Sequence, residues 1–244
     1  MADLQDLTPA ERAGQLGKPE GDVGLAIAEW MNGYNRPYIA ASYRALALEA
    51  GNRILEIGFG NGHDVPDLLG RAEAIEYVGL DVSPTMVAEA ARFNQGAVAS
   101  GKAQFHLGSA AGMPFAPTSF DRVIAVNVIY FWPDPVPPLA AIRRVLRPGG
   151  LCVIGASDPA SQSDAVARPE YGFHRRDADA LLAAHRQAGF GSVELEVVEH
   201  GSRATAAYRA RCRRSRGRRP CGLGRRRPRR APLACRSRSS RRCR

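Results

Sequence analysis

The chain has 244 residues, 45% of them hydrophobic, which is enough for one α/β domain with a sizeable core, and no run of 18 apolar residues that would span a membrane. Its formal charge of +10 is unevenly spread: residues 1–200 hold 16 basic and all 24 acidic residues, a balance of −8, whereas the last 44 hold 18 basic residues and no acidic one. The acidic body is a poor match to a polyanion, and the start MADLQDLTPAERAG lacks the basic and apolar regions of a secretory signal, so a cytoplasmic location is expected.

In chain order, residues 1–50 are predicted to form a helical lid, with helices over 26–32 and 38–49. Residues 51–208 form the predicted domain, in which strands and helices alternate. RILEI (53–57) is the first strand, and a helix follows over 63–70 with Pro66 in its first turn. A second strand over 74–80 leads to Ser83-Pro84, an N-cap followed by proline at the first helical position, and a helix to about Asn94. Strands are expected at 103–107 and 122–127, the latter apolar through its centre as a strand covered on both faces should be. A helix over 138–146 should stop at RPGG (147–150), before a strand over 151–156 that contains Cys152 as a buried thiol. A helix over 177–188 and an alternating, edge-like strand over 192–198 complete the pattern. The fold class is therefore α/β: a Rossmann-like, doubly wound, mostly parallel sheet.

The first strand-to-helix turn, ILEIGFGNGHDV (54–65), carries Gly58, Gly60 and Gly62 after Glu56. Glycine belongs where a backbone turns sharply or a ligand presses against it. A dinucleotide site would want a third glycine three residues after Gly60, where His63 stands, and Glu56 would repel a pyrophosphate. A carboxylate there suits a cationic ligand such as an amino group. Asp81, closing the second strand, is placed to accept from ribose hydroxyls.

Residues 209–244 form an arginine-rich tail with Cys212, Cys221, Cys235 and Cys243, but with no C-x-x-C pair, and no metal site is expected. The tail cannot bury enough apolar surface to fold alone. It reads as a basic arm, a solvated extension or an out-of-frame continuation of GC-rich coding sequence. The third reading is preferred, and with it a last strand lost or cut to a stub at 204–208.

The motifs ILEIGFGNG, VGLDVSPTMVAEA (78–90), GSAAGMPFAPTSFDRVIAVNVIYFWPDP (108–135) and LRPGGLCVIG (146–155), in this order, resemble those of class I S-adenosylmethionine-dependent methyltransferases. The likeness is to the bacterial, small-molecule kind with methyltransferase domains 11 and 25, and covers residues 20–200. It implies a seven-stranded sheet and S-adenosyl-L-methionine as cofactor. It also implies that Gly58, Gly60 and Gly62 pack under the methionine end, shaped by Glu56; that Asp81 holds the ribose; and that Val82 and Met86 border the adenine. Ser109 stands where the family often has Asp, and Ala110 offers a backbone N–H. Loss of that charge is expected to weaken cofactor affinity by about 1 kcal/mol. Asn127 would lie near the transferred methyl.

The implied reaction is in-line methyl transfer to a small organic acceptor, which needs a base only for a hydroxyl or a protonated amine. The catalytic residue is therefore open, with His63 and Tyr130 as candidates, while Tyr34, Asn35, Tyr130, Trp132 and His174 are candidates for the acceptor side. An impaired or non-catalytic relative of such an enzyme, and an RNA-directed one anchored by the tail, are the alternatives. Nucleic acid would enter only through the tail, no membrane partner is expected, and the sequence specifies no oligomeric state.

Overall fold

The computed structural model describes residues 6–157, 162, 167–200 and 203–213. Seven strands form one sheet in the order β3-β2-β1-β4-β5-β7-β6. They are β1 (Arg53–Ile57), β2 (Glu76–Asp81), β3 (Ala103–Leu107), β4 (Phe120–Val126), β5 (Leu146–Ser157), β6 (Ser192–His200) and β7 (Arg203–Arg211). The first five pair in parallel, and β7 lies antiparallel between β5 and β6. The order reverses between β1 and β4, and ligands of open α/β sheets bind beyond the strand ends at such a reversal.

Among the described residues seven α-helices flank or cap the sheet: α1 (Pro9–Gly17), α2 (Gly21–Ala45), α3 (Val65–Leu69), α4 (Pro84–Phe93), α5 (Gln95–Ala99), α6 (Val136–Val145) and α7 (Ala178–Gln187). Thr8 caps α1 in a reciprocal box with Glu11, and Ser83 caps α4 through Met86 N. One buried cluster joins α6 and α7 to the sheet through Phe120, Ile142, Leu181 and Tyr208. The other joins α2 and α3 to the opposite face through Tyr43, Leu46, Leu68 and Ile124. Among the described residues no helix is long and apolar enough to cross a membrane.

Four expectations need correction. The two lid helices are one helix, α2, which runs through Pro37. A proline forfeits one helical hydrogen bond, but Tyr38, Ala41, Tyr43 and Ala45 are buried beyond it, and that packing carries the helix on. Gly155 lets it come close, since a Cβ there would overlap Ser42 Oγ at 2.0 Å. The RPGG segment does not stand outside the sheet: β5 begins at Leu146, which pairs with Phe120 before the ladder shifts register. Helix α3 starts two residues later than expected, at Val65, because the glycine turn extends to Asp64.

The largest correction concerns the last strand, which is neither lost nor a stub. β7 spans nine residues and pairs along its whole length with β6, from Ser192↔Arg211 to His200↔Arg203. Its alternation is hidden in the composition because Arg203, Arg209 and Arg211 share the face toward α2 with the buried Thr205 and Ala207, and Arg209 Nε donates to Ala45 O at 3.1 Å. The small and aromatic residues Ala206, Tyr208 and Ala210 face the α7 side. The tail expected from residue 209 thus begins as strand, and from residue 214, with Cys221, Cys235 and Cys243, it lies outside the described residues.

Tyr208 is buried and stacks on His185, ring centroids 5.7 Å apart. Tyr208→Ala should therefore lower unfolding free energy by about 3 kcal/mol or more, read from urea denaturation of the full chain. A loss under about 1 kcal/mol would mean that β7 is not part of the packed core.

Candidate active site

At the carboxyl ends of β1, β2 and β4 a cleft of about 270 Å³ opens between the sheet and the helices α1 and α2. Its floor is the turn after β1. Gly58 adopts φ +71°, and a Cβ there would meet Val128 Cγ2 at 2.4 Å, so the turn needs glycine both for its backbone and for its space. Gly60 N donates to Asp81 Oδ2 at 3.2 Å, and Ser83 N donates to Asp81 Oδ1 at 2.9 Å. These bonds tie the glycine turn to the end of β2. Burial raises the Asp81 carboxyl above the usual aspartate range, and the N–H groups of Ser83, Gly60 and Val82 oppose the rise.

Beneath the turn lies Glu56, buried with two phenols. Tyr77 Oη donates to Glu56 Oε2 at 2.9 Å, and Tyr43 Oη reaches both carboxylate oxygens at 3.3 Å. Tyr77 comes from β2 and Tyr43 from α2. Burial pushes the Glu56 carboxyl up to about 7. The two phenol hydrogen bonds hold it down, and the carboxylates of Asp64 and Asp81 push it further up.

Of the residues expected at the cofactor, Glu56, Gly58, Gly60, Asp81 and Val82 line this cleft, as do Met86, Ser109, Ala110 and Asn127. Gly62 does not; a Cβ there would meet Ala90 Cβ at 2.7 Å, so its smallness serves the contact with α4. Ser109 Oγ accepts from Ala111 N at 3.4 Å as the cap of a short 3-10 turn.

The acceptor and catalytic candidates divide. Asn35 and Trp132 line the cleft. Tyr34 stacks on Trp30 at 5.3 Å, with the Arg203 guanidinium 4.9 Å from its ring centroid, and is not among the lining residues. Tyr130 turns into the core: its ring stacks on Phe173 at 4.8 Å, and its hydroxyl contacts Ser157 Oγ at 2.8 Å and Asn127 Oδ1 at 3.1 Å. Burial raises its phenol pKa further, the reverse of what a base needs. His63 is half exposed, 3.5 Å from Asp64 and stacked on Phe93 outside the cleft. His174 lines a separate small hollow with Tyr130 and Ser157, and its backbone N donates to Tyr130 O.

Several lining residues went unread in the sequence: Tyr43, Met31, Asn32 and Phe59. Residues 35, 39 and 43 share one face of α2, and all three line the cleft. That spacing is legible only once the helix is continuous through Pro37.

A family profile described as "Methyltransferase domain" matches residues 55–154. The chain is 30% identical over 151 residues to the uncharacterized methyltransferase YdaC of Bacillus subtilis (strain 168), covering 62% of this chain and 78% of that protein. It is 32% identical over 110 residues to 27-O-demethylrifamycin SV methyltransferase of Amycolatopsis mediterranei (strain S699), covering 45% of this chain and 40% of that enzyme. Among solved structures, a Haemonchus contortus phosphoethanolamine N-methyltransferase 2 in complex with S-adenosyl-L-methionine superposes with TM-score 0.65 at 17% identity, over 80% of this chain and 57% of that one. The [4+2]-cyclase SpnF does so with TM-score 0.62 at 21% identity, over 74% and 82%. The chain belongs to the class I S-adenosylmethionine-dependent methyltransferases.

Burial of Glu56 makes a pH prediction. Its folded pKa, about 7, lies above the ordinary 4.5, so the native state holds the proton more tightly. The stability that goes with protonated Glu56 is complete below pH 4.5 and is lost as pH rises to about 7. Glu56→Gln should abolish that part of the slope, the difference from the parent chain changing by about 3 kcal/mol across the window. Urea melts of both chains at pH 4.5, 6 and 8 read this directly. Parallel stability curves would show that Glu56 titrates normally.

Proposed function

We propose that the chain transfers a methyl group from S-adenosyl-L-methionine to a small organic acceptor. The observation that carries this reading is the pairing of the Gly58 turn with Asp81 across a cleft whose floor is a carboxylate. The residues suit the cofactor. The space beside Gly58 admits no side chain. Asp81 is a buried acceptor at the end of β2, suited to ribose hydroxyls. Glu56, with no cation among its hydrogen-bond partners, suits the amino group. Val82 and Met86 supply an apolar border for an adenine, with Ser109 and Ala110 at its edge.

When bound, the cofactor supplies a methyl already activated on a sulfonium. The work left to the protein is to align the acceptor and exclude water. Helices α1 and α2 and the segment through Trp132 wall the cleft. That wall is apolar at Leu16, Met31, Phe131 and Trp132, and polar at Asn32, Asn35 and Asn127. It favours a small acceptor of largely apolar surface, recognised by a few hydrogen bonds. In-line geometry would then come from positioning rather than from a titrating side chain: neither His63 nor His174 lines this cleft, and the Tyr130 hydroxyl is engaged with Ser157 and Asn127. The 27-O-demethylrifamycin SV methyltransferase and the erythromycin 3''-O-methyltransferase among the relatives support an organic acceptor that is not a macromolecule. We propose residues 1–50 as the lid that shapes the acceptor side, with residues 51–208 as the S-adenosylmethionine-binding domain.

Titration calorimetry of the full chain with S-adenosylhomocysteine tests the reading. The parent chain should bind, and Asp81→Ala should weaken binding about tenfold to a hundredfold, the worth of hydrogen bonds to a charged group. 5′-Methylthioadenosine, which keeps the ribose, should lose affinity to the same extent. A parent chain that takes up neither ligand would end the proposal.

A further inference from the structure

Asn127 follows β4 with φ +55°, the left-handed region that non-glycine residues seldom occupy. Both ends of its carboxamide are engaged, and their orientation is fixed by a group that has no choice. The backbone N–H of Ser157 can only donate, and it is shared between Asn127 Oδ1, at 3.1 Å, and Tyr130 Oη. Tyr130 Oη donates to the same oxygen at 3.1 Å. The oxygen end of Asn127 therefore faces β5, and the nitrogen end faces α2, where Nδ2 donates to Asn35 Oδ1 at 2.9 Å. That bond in turn sets Asn35. Its oxygen is turned toward Asn127, so its two N–H donors are the end left for the cleft, which both residues line. Two side-chain amides thus carry a hydrogen-bond direction from the backbone of β5 to helix α2.

The charges of the cleft give this donor a use. Its ionisable acids are Glu56, Asp64 and Asp81, and among the described residues no Lys, Arg or His lines it. A ligand carrying both an ammonium and a carboxylate meets acids for the first and only neutral donors for the second. Asn32 also lines the cleft, but no hydrogen bond among the described residues orients it, whereas Asn35 is pre-oriented. We propose that Asn35 receives the α-carboxylate of the cofactor's amino-acid end, and that Asn127, Tyr130 and Ser157 are positioning residues that aim it. The assignment rests on the function proposed above. It makes α2 part of the cofactor site as well as a lid.

The test compares two ligands that differ at that end. S-adenosylhomocysteine has the amino-acid group and 5′-methylthioadenosine lacks it. Asn35→Asp keeps an oxygen to accept from Asn127 and replaces the N–H donors with a carboxylate oxygen. Calorimetry on the full chain should show S-adenosylhomocysteine binding weakened about tenfold or more while 5′-methylthioadenosine is unchanged. Tyr130→Phe removes one of the two donors that fix Asn127, and should weaken S-adenosylhomocysteine alone by about threefold. Thermal melts confirm that each variant is folded, and a variant that fails to fold is replaced by Asn35→Ser, for which the same selective loss is expected. Unchanged S-adenosylhomocysteine affinity in the variant, or an equal loss for both ligands, overturns the assignment. A parent chain that binds neither ligand removes the methyltransferase reading and this assignment together, and that failure is seen before any variant is compared.

Discussion

A carboxylate buried, among the described residues, with phenols and no cation is the constraint around which the ligand end of this molecule is built. Taking an ionised carboxyl out of water is costly unless hydrogen bonds or opposite charge replace the lost solvation. Glu56 has two phenols, one from β2 and one from α2. The Tyr43 bond is therefore more than local: it ties the end of the N-terminal helix to the first strand of the sheet. The Arg71 guanidinium, 5.3 Å from the Tyr43 ring centroid, packs on the ring of that phenol. What remains is an acid held high in pKa at the floor of a cleft, an arrangement that a cationic group entering the cleft would relieve.

Helix α2 converts that anchor into a wall. A helix rises 1.5 Å per residue, so Asn35 and Tyr43 lie about 12 Å apart along one face. Tyr43 reaches the floor at Glu56, and Asn35 reaches the end of β4 at Asn127. The helix is thus fastened at two points by hydrogen bonds, to Glu56 of β1 and to Asn127 at the end of the neighbouring β4. Tyr38 and Ser42 are buried between these points, which keeps the span rigid.

The glycine-turn half of the cleft was legible in the sequence because its chemistry is local. Gly58 and Gly60 are adjacent in the chain to the acid they accompany, and Asp81 ends a strand whose apolar run announces it. The acceptor half was legible only in part, because it is assembled from residues far apart in sequence. Asn35 meets Asn127 across 92 positions, and Tyr43 meets Glu56 only after α2 has passed Pro37 without breaking. The gap between the helices expected at 26–32 and 38–49 erased the 35, 39, 43 spacing that would have marked the lining face. Tyr130 shows the reverse error: its place after β4 suggested a wall residue, but its ring found a better partner in Phe173, and the next two residues, Phe131 and Trp132, took the cleft. β7 was misjudged for a compositional reason. Arginine at alternate positions of a strand looks like a basic tail, yet a long aliphatic stem with a hydrogen-bonded head fits a half-buried sheet face.

The division between the two halves bears on how activity is decided in this fold. A [4+2]-cyclase shares the sheet order's architecture closely enough to superpose over 74% of this chain, so the sheet alone does not choose the reaction. The glycine turn and its two acids select what is bound at the strand ends; the covering helices select what is brought against it. In this chain the two are coupled, because the amide of Asn127 belongs to the sheet and its partner Asn35 belongs to the cover. A change in the cover that shifted α2 would break the Asn35–Asn127 bond while leaving Gly58, Gly60 and Asp81 in place, so the cover cannot move without changing what the end of β4 presents to the cleft.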